Sequence, residues 1–270
     1  MFSKYHGCGN DFLLSVYDET LDYSKIAYEY CNRYTGIGAD GLICAKKLDN
    51  MYEMIFYNAD GSRAPMCGNG IRCFCKFLYD NKLVLDSEYN VYTLSGIMKV
   101  KVTSFDPFMV CINLGKPIYS CKHLSIDSEK EVFLDEDILL DKIYNVSAIY
   151  MATHHLVTIV DNIDDVTEKM GEGLCKHPVF KKQINVNFVE VIDRENIRIK
   201  TYERGVGFTK ACGTGGAASF AILYSKGIVD DKIKNHLEYG VLSYEKKGDE
   251  FLMTGPSELI CDNIVLKKKI

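Results

Sequence analysis

The sequence contains one motif twice, and this internal repeat limits the architectures that the chain can adopt. The copies are MCGNGIRCFCKFLYDNKLV at 66–84 and ACGTGGAASFAILYSKGIV at 211–229. They align at a constant offset of 145 residues, which pairs Cys67 with Cys212 and two glycines of each copy. Each copy has a cysteine, then a glycine-rich turn, then an apolar helical pattern. The repeat therefore predicts two similar halves, each with one cysteine at the start of a helix.

The same offset extends to the segments before each cysteine. MYEMIFYN at 51–58 falls on NIRIKTYE at 196–203, and both alternate in polarity as half-buried strands do. We therefore predict an α/β protein with two pseudo-symmetric domains, each a mixed strand barrel around a central helix. The predicted domains are an N-terminal half, 1–114, completed by a C-terminal strand at about 260–270, and a C-terminal half, 115–259.

Composition argues against several classes of protein. A net charge of -5 is unfavourable for binding a nucleic-acid backbone, which needs a basic surface. No segment approaches the roughly 18 consecutive apolar residues that span a bilayer, and the N-terminus lacks a signal-peptide pattern. We expect a cytoplasmic protein with no membrane or nucleic-acid partner. In a reducing compartment, the eleven cysteines are expected to be thiols, and most of them to lie in the core.

The two repeated cysteines have a setting that changes thiol chemistry. Unpaired N–H groups at a helix N-terminus stabilise a thiolate and lower the thiol pKa. The glycines after Cys67 and Cys212 allow a ligand to approach those N–H groups, which form a cradle for a carboxylate or a phosphate. The sequence thus predicts two reactive thiols, each beside an anion-binding turn.

Several interpretations of these cysteines compete. They can be core residues followed by glycines that cap a helix. Core packing alone, however, gives no reason for the same cysteine and glycines to occur in both copies. A zinc site is disfavoured because no cysteine pair has the C-x-x-C spacing. A cysteine hydrolase would use His6, His154 or His155 as the base but would leave the second cysteine idle. A redox switch uses two cysteines but has no need of two anion cradles.

One further interpretation uses both cysteines and both cradles. Two sulfurs on opposite sides of a substrate carbon, one a thiolate and one a thiol, can remove a proton from one face and deliver another to the opposite face. The cradles would stabilise the charge that develops on the substrate carboxylate when Cα loses its proton. This pattern indicates a racemase or epimerase.

Five segments closely resemble the diaminopimelate epimerase family. They are HGCGNDF (6–12), RYTGIGADGL (33–42), NADGSRAPMCGNGIRC (58–73), INVNFVEV (184–191) and YERGVGFTKACGTG (202–215). The resemblance implies a cofactor-independent isomerase that interconverts LL- and meso-diaminopimelate, with its active site in an interdomain cleft. It also implies a homodimer in lysine biosynthesis, with a small amino-acid substrate and no metal.

The resemblance assigns roles to particular residues. Two cysteines would be catalytic, backbone N–H groups after each cysteine would hold the reacting carboxylate, and polar side chains would hold the distal amino and carboxylate groups. The catalytic residues so implied are Cys67 and Cys212, and the substrate-binding residues are Asn10, Asn58, Gly68, Asn69, Thr153, His155, Asn185, Glu203, Arg204, Gly213 and Thr214.

Two segments depart from the family pattern. Where the family reads GNPH or GTPH, this chain has Ala152-Thr-His-His155, and where the family has a glutamate, this chain has Phe208. These changes leave open an alternative substrate, such as histidine, for the same two-cysteine mechanism. An alternative of another class is a non-catalytic thiol switch or a metal-binding protein.

Overall fold

The computed structural model of the chain describes residues 1–266 and confirms a mixed α/β fold. The chain forms two compact units. Unit 1 comprises Met1–Ile112 and the segment that begins at Gly255, and unit 2 comprises Asn113–Thr254. The last strand is Glu258–Ile264, and the part of the expected C-terminal strand at 267–270 lies outside the described residues.

The helices and strands follow one another in a pattern that repeats along the chain. In chain order they are β1 Phe2–Gly7, β2 Asn10–Val16, α1 Tyr23–Tyr30, β3 Gly41–Lys47, β4 Tyr52–Asn58, β5 Arg63–Ala64, α2 Gly68–Asp80, β6 Glu88–Thr93, β7 Gly96–Phe105, β8 Phe108–Asn113, α3 Cys121–Leu124, β9 Glu136–Leu139, β10 Ile143–Met151, β11 Thr153–Ile159, a 3-10 turn Ile163–Asp165, α4 Glu168–Cys175, β12 Asn185–Val191, β13 Asn196–Glu203, β14 Gly207–Thr209, α5 Gly213–Ser225, β15 Lys232–Leu237, β16 Gly240–Lys247, β17 Glu250–Pro256 and β18 Glu258–Ile264.

Strand pairing in unit 1 is mostly antiparallel, with two parallel pairs. The order of hydrogen-bonded strands is β18, β1, β2, β3, β4, β6, β7 and β8, and the parallel pairs are β2 with β3 and β4 with β6. The α2 helix packs against β1, β2 and β3. A parallel pair cannot be joined by a tight turn, so α1 and α2 occupy the connections.

Unit 2 repeats this pairing pattern. Its strand order is β9, β10, β11, β12, β13, β15, β16 and β17, and its parallel pairs are β11 with β12 and β13 with β15. The α5 helix packs against β10, β11, β12 and β16. The predicted duplication is therefore confirmed at the level of strand order and direction.

The two central helices are buried to different extents. In α2, the stripe that includes Ile71, Phe74 and Leu78 is buried, while Lys76 and Asp80 lie closer to solvent. In α5 the residues from Gly215 to Leu223 are all buried. A helix without a polar face needs protein on every side. The α5 helix ends at Ser225, and Gly227, two residues further on, has φ of +68°, the left-handed backbone that favours glycine after a helix.

A buried arginine ties the C-terminal segment to α2 within unit 1. The Arg72 side chain has no exposed surface. Its Nε donates to Pro256 O at 3.0 Å, and its Nη1 donates to Gly68 O at 3.1 Å. Both acceptors are backbone carbonyls, and these hydrogen bonds offset part of the desolvation of the buried guanidinium.

Gly216 has no room for a side chain, which gives a first prediction. A Cβ at this position would overlap the Tyr244 hydroxyl, which is buried and donates to Gly213 O at 3.1 Å. We expect Gly216→Ala to lower the free energy of unfolding by about 1–3 kcal/mol, the usual range for overpacking. Urea denaturation measures this change.

The control is Gly173→Ala in α4 of the same unit. The added Cβ there would meet the end of the flexible Leu140 side chain at 3.0 Å. That side chain can move aside, and alanine favours helix by about 1 kcal/mol over glycine. An unchanged urea midpoint for Gly216→Ala would contradict the packing described for α5.

Candidate active site

Each repeated cysteine caps the N-terminus of the central helix of its unit. Cys67 precedes α2 with φ of -136° and ψ of 126°, and Cys212 precedes α5 with φ of -123° and ψ of 104°. Both thus have the extended backbone of an N-cap residue. The N–H of Gly70 donates to Cys67 Sγ at 3.5 Å, and the N–H of Gly215 donates to Cys212 Sγ at 3.4 Å. The predicted position of a sulfur at each helix start is confirmed.

These two cysteines differ from the cysteines of the core. Seven of the eleven cysteines are buried, as the sequence predicts for most of them. Burial raises the pKa of Cys73 and Cys75 to about 12, so these thiols are protonated and unreactive at neutral pH. Cys67 and Cys212 are partly exposed. Solvent can therefore reach these two thiols at the helix ends, whereas the core thiols are inaccessible.

The backbone after each cysteine carries the helix-start N–H groups that an anion would use. Gly68 and Gly213 are the first helical residues, and Asn69 and Thr214 follow them. The first N–H groups of a helix have no partner within the helix, and the helix dipole adds partial positive charge there. Each unit therefore presents one anion-binding turn next to a sulfur.

In unit 1 the side chain that faces the cysteine is Asn10. Its Oδ1 accepts from Asn69 Nδ2 at 3.1 Å and lies 3.7 Å from Cys67 Sγ. Its Nδ2 donates to the Asp40 carboxylate, which settles the orientation of the amide because a carboxylate only accepts. Arg33 donates to Asp40 Oδ1 at 2.7 Å. Asp40 and Arg33 therefore fix the orientation of the Asn10 amide, whose oxygen faces the sulfur of Cys67.

The same arginine also stabilises a second carboxylate. Arg33 Nη2 donates to Asp11 Oδ1 at 2.7 Å, and Lys4 Nζ lies 3.0 Å from Asp11 Oδ2. Burial would raise the pKa of Asp11, but hydrogen bonds from Arg33 and Lys4 outweigh it, so the pKa is lowered. Asp11 is consequently ionised at neutral pH and anchors the loop that carries Asp40.

In unit 2 the corresponding side chain is His155, which is fully buried. Its Nε2 lies 3.1 Å from Thr214 Oγ1, and Thr214 Oγ1 lies 3.6 Å from Cys212 Sγ. On the other side of the ring, Asn187 Nδ2 lies 3.2 Å from His155 Nδ1. Burial, together with the nearby charges of Arg204 and His154, lowers the pKa of His155 to about 3. The imidazole is therefore neutral at neutral pH.

The buried neutral histidine predicts a pH dependence of stability. The usual pKa of histidine in an unfolded chain is about 6.5. Between pH 6.5 and 3 the unfolded chain binds a proton at His155 that the folded chain does not, so stability falls as pH falls. The slope is at most about 1.4 kcal/mol per pH unit.

Urea denaturation at pH 7 and pH 5 tests this dependence. In His155→Gln, the difference between the two pH values should become smaller by up to about 2 kcal/mol, the product of that slope and the span below pH 6.5. The exposed His123 serves as the matched control, and His123→Gln should leave the difference unchanged. An identical pH dependence in wild type and His155→Gln would contradict a neutral buried His155.

The residues expected to hold the distal groups of the substrate lie in both units. In unit 2, Asn185 Oδ1 accepts from the N–H of Arg204 at 3.0 Å, and Arg204 Nη2 lies 3.4 Å from Thr153 Oγ1. Glu203 Oε1 accepts from Thr209 Oγ1 at 2.7 Å. These four predicted residues are thus close together at the ends of β11, β12 and β13.

Asn58 lies at the exposed end of β4 in unit 1. Its Nδ2 donates to Ser62 Oγ at 3.0 Å, and its backbone N–H donates to Ser62 O at 2.9 Å. These bonds close a tight turn that includes Gly61, which has φ of +84°. The side chain of Asn58 is therefore held by its own turn, and its part in substrate binding stays a prediction.

The residues that depart from the family pattern all lie in unit 2. Ala152 has φ of +59° at the turn between β10 and β11, a left-handed backbone that glycine adopts without penalty and that strains other residues by about 1–2 kcal/mol. Phe208 packs edge-on against Tyr202, with ring centroids 5.4 Å apart, and joins the core of unit 2. His154 contacts the Tyr150 ring, with centroids 5.7 Å apart.

Sequence reasoning missed three polar residues behind the cysteines. Asp40 contacts Asn10, Asn187 contacts His155, and Thr201 contacts Asn187, but no role was assigned to these three residues. For Asn187 a signal existed, because Asn185 and Asn187 share one face of β12 with Val189 and Val191. Two amides at every second position of a buried strand indicate a polar cluster, not packing alone.

Two further classes of feature are absent from the described part of the chain. Within residues 1–266, no group of three or more His, Cys, Asp or Glu side chains is arranged to hold a metal ion. No helix in that range has both the length and the apolar character required to cross a membrane.

Comparisons with solved structures indicate the fold. A hydroxyproline epimerase from Agrobacterium vitis matches with a TM-score of 0.67 at 13% identity, over 96% of this chain and 89% of that one. A PhzF-family phenazine biosynthesis protein from Bacillus anthracis matches with a TM-score of 0.69 at 13% identity, over 96% of both chains. At such low identity these matches show a shared fold only.

Comparisons of sequence are more specific. A diaminopimelate epimerase of Alkaliphilus metalliredigens is 36% identical over 100% of this chain and 98% of that protein. A diaminopimelate epimerase of Clostridium perfringens is 33% identical over 98% of this chain and 99% of that protein. The family model described as "Diaminopimelate epimerase" matches residues 2–119 and 147–260. The chain therefore belongs to the diaminopimelate epimerase family.

Proposed function

We propose that the chain is an isomerase that interconverts LL- and meso-diaminopimelate, with Cys67 and Cys212 as its two bases. The observation that carries the proposal is the duplicated cysteine, since each unit caps its central helix with a partly exposed sulfur. Membership of the family gives the substrate. Neither the hydrolase nor the redox-switch interpretation gives a role to both sulfurs and both anion-binding turns.

In the proposed reaction, each turnover moves two protons. The thiolate of one cysteine takes the Cα proton from one face of the substrate, and the thiol of the other cysteine delivers its proton to the opposite face. The first cysteine ends as a thiol and the second as a thiolate, so the two have exchanged roles. Both transfers are made by side chains of the chain, and no cofactor takes part.

The unfavourable step is the formation of negative charge at Cα, which spreads onto the attached carboxylate. We propose that the first-turn N–H groups of α2 and α5, at Gly68–Asn69 and Gly213–Thr214, bind this carboxylate. Donors already oriented toward developing charge need no reorganisation, and removing one such donor typically costs about 2.7–4 kcal/mol of transition-state stabilisation. The helix dipoles add to the same effect.

The distal end of diaminopimelate carries a second amino and a second carboxylate group. We propose that the Arg204 guanidinium binds the distal carboxylate and the Glu203 carboxylate binds the distal ammonium, with Asn58, Asn185 and Thr153 as further hydrogen-bonding partners. Opposite charges at fixed positions select a substrate that is zwitterionic at both ends. The family resemblance groups Asn10 with the residues for the distal groups, but its amide lies 3.7 Å from Cys67 Sγ, so we propose that Asn10 acts with His155 near the reacting end.

The proposal is tested by Cα–H exchange in deuterated water under reducing conditions, followed by proton NMR. The substrates are LL-diaminopimelate, meso-diaminopimelate, L-lysine and L-histidine. Loss of the Cα–H signal with both diaminopimelate isomers, much faster than with the other two, is the expected result. Faster exchange on L-histidine would identify histidine as the substrate in place of diaminopimelate. No exchange on any of the four amino acids would reject the proposed function.

We also propose that the enzyme is a cytoplasmic homodimer of lysine biosynthesis. The last strand, β18, pairs with β1, and Leu259 and Ile260 on it are 41% and 50% exposed. An apolar strand at a surface is typical of an interface between subunits. Sedimentation equilibrium of wild type and of Ile260→Lys tests the dimer, and a monomer in wild type would contradict it.

A further inference from the structure

We propose that Asn187 is a positioning residue, which holds His155 in the tautomer that donates to Thr214 and so leaves the Thr214 hydroxyl hydrogen for Cys212 Sγ. This inference rests on the proposed function, in which Cys212 alternates between thiolate and thiol. The residues that carry it all lie in unit 2: Leu156, His155, Asn187, Thr201, Thr214 and Cys212.

The orientation of the Asn187 amide follows from its three neighbours. Asn187 Nδ2 lies 3.0 Å from Leu156 O, a carbonyl that can only accept. Thr201 Oγ1 donates to Asn187 Oδ1 at 2.9 Å. The NH₂ group must therefore face Leu156 O, and its second hydrogen points to His155 Nδ1 at 3.2 Å. The residue is fully buried, so no water competes for these groups.

A donor at Nδ1 determines where the ring hydrogen of His155 lies. The neutral imidazole has one donor nitrogen and one acceptor nitrogen, and here Nδ1 is the acceptor. The hydrogen is then on Nε2, which donates to Thr214 Oγ1 at 3.1 Å. A second proton on the ring is disfavoured by burial and by the neighbouring charges of Arg204 and His154. The ring is accordingly a fixed donor and not a base.

The fixed donor in turn directs the hydroxyl of Thr214. Its oxygen already accepts from His155, so its own hydrogen is available for another acceptor. Cys212 Sγ lies 3.6 Å away. A hydrogen bond donated to sulfur favours the thiolate over the thiol. Asn187 thus acts on the reaction through His155 and Thr214, without touching the substrate.

The other copy of the repeat serves as an internal control for packing. At the constant offset of 145 residues, Leu42 corresponds to Asn187 and Phe56 corresponds to Thr201, and both are buried. The fold therefore accommodates apolar side chains at these two places. In unit 2 a Cβ on Gly215 would overlap Asn187 Oδ1, so the amide lies directly beneath the start of α5. The polar pair is a feature of unit 2 alone and is not required by the architecture.

The test begins with the wild-type protein labelled with ¹⁵N-histidine. Long-range ¹H–¹⁵N correlation NMR identifies which ring nitrogen of His155 carries the hydrogen, and assignment uses His155→Gln. The expected result is Nε2–H with an unprotonated Nδ1. A ring protonated at Nδ1 in wild type would overturn the proposal, whatever the variants do.

The variants are Asn187→Leu, which copies the residue of unit 1, and Asn187→Asp, whose carboxylate accepts from Nδ1–H. We expect Asn187→Asp to move the hydrogen to Nδ1 and both variants to lower kcat by about 10- to 100-fold, the range found when the outer hydrogen-bond partner of a metal-ligating histidine is removed. KM should change much less. Alkylation of Cys212 by iodoacetamide, followed by mass spectrometry of its peptide, should slow, while that of Cys67 should not.

Asn235→Leu is the matched control, because Asn235 is equally buried in unit 2 but lies outside this cluster. It should keep the tautomer, the alkylation rates and kcat of wild type. Unchanged kcat and Cys212 alkylation in a folded Asn187→Leu protein would overturn the proposal. If wild type exchanges no amino acid, the proposed function fails, whereas the tautomer and the alkylation rates still test the role of Asn187.

Discussion

Cys67→Ser and Cys212→Ser each lose turnover of diaminopimelate, by at least about 10² and up to about 10⁴-fold, the range that a positioned acid or base contributes. A serine hydroxyl is far less acidic than a thiol, so it supplies almost no anion at neutral pH. In a two-base mechanism neither cysteine can replace the other, because they act on opposite faces of Cα. The measurement is kcat for LL-diaminopimelate, with each variant tested separately.

The control is Cys111→Ser on β8, where the thiol is partly exposed but does not cap a helix. It should retain wild-type kcat. Alanine variants add a second readout, because a single remaining thiolate can remove a proton and return a deuteron to the same face. Cys67→Ala and Cys212→Ala should each exchange Cα–H without inversion. One variant should act on a centre of L configuration and the other on the D centre of meso-diaminopimelate. Wild-type turnover in either serine variant would reject the mechanism.

Arg204→Ala lowers kcat/KM for LL-diaminopimelate by about 10- to 100-fold, because hydrogen bonds to charged groups are worth about 1.5–3 kcal/mol. The guanidinium is exposed, within 3.4 Å of Thr153 Oγ1 and of Lys182 O, and it can turn its fork of N–H donors toward a carboxylate. Steady-state kinetics of wild type, Arg204→Ala and Arg204→Lys measure the effect.

The lysine variant separates charge from geometry. It keeps the positive charge but not the planar pair of donors, so its loss should lie between those of wild type and Arg204→Ala. Arg194→Ala is the control, because Arg194 is an exposed arginine of unit 2 that pairs with Asp230. Arg194→Ala should retain the wild-type kcat/KM. Wild-type kcat/KM in Arg204→Ala would remove the assigned distal-carboxylate partner and reopen the choice of substrate.

Much of the fold was predictable because each copy of the repeat consists of local sequence patterns that specify helices and strands. A cysteine, two glycines and an apolar run specify an N-cap and a buried helix, and α2 and α5 begin at the residues that the motif predicts. Alternation in MYEMIFYN and NIRIKTYE specifies strands in the same way, and β4 and β13 occupy these segments. Because the segments of the two halves align at one constant offset, the same order of strands and helices is predicted for both halves.

The supporting hydrogen bonds could not be predicted, because they depend on the register of neighbouring strands. Asn187 lies opposite Thr201 across an antiparallel pair, and one strand over it reaches the ring of His155. Asp40 similarly orients Asn10 from the start of the neighbouring strand. No local pattern encodes these pairs, since a shift of one residue would turn every side chain to the other face.

The most direct test of the two-base account is the isotopic content of substrate and product at early times in deuterated water. When LL-diaminopimelate is converted by less than about a tenth, the meso product should carry one deuterium at the inverted Cα in every molecule, because its proton comes from the second cysteine. Recovered LL-diaminopimelate should still carry hydrogen. Product that retains the substrate hydrogen, or substrate labelled as fast as product, would contradict two separate bases at Cys67 and Cys212.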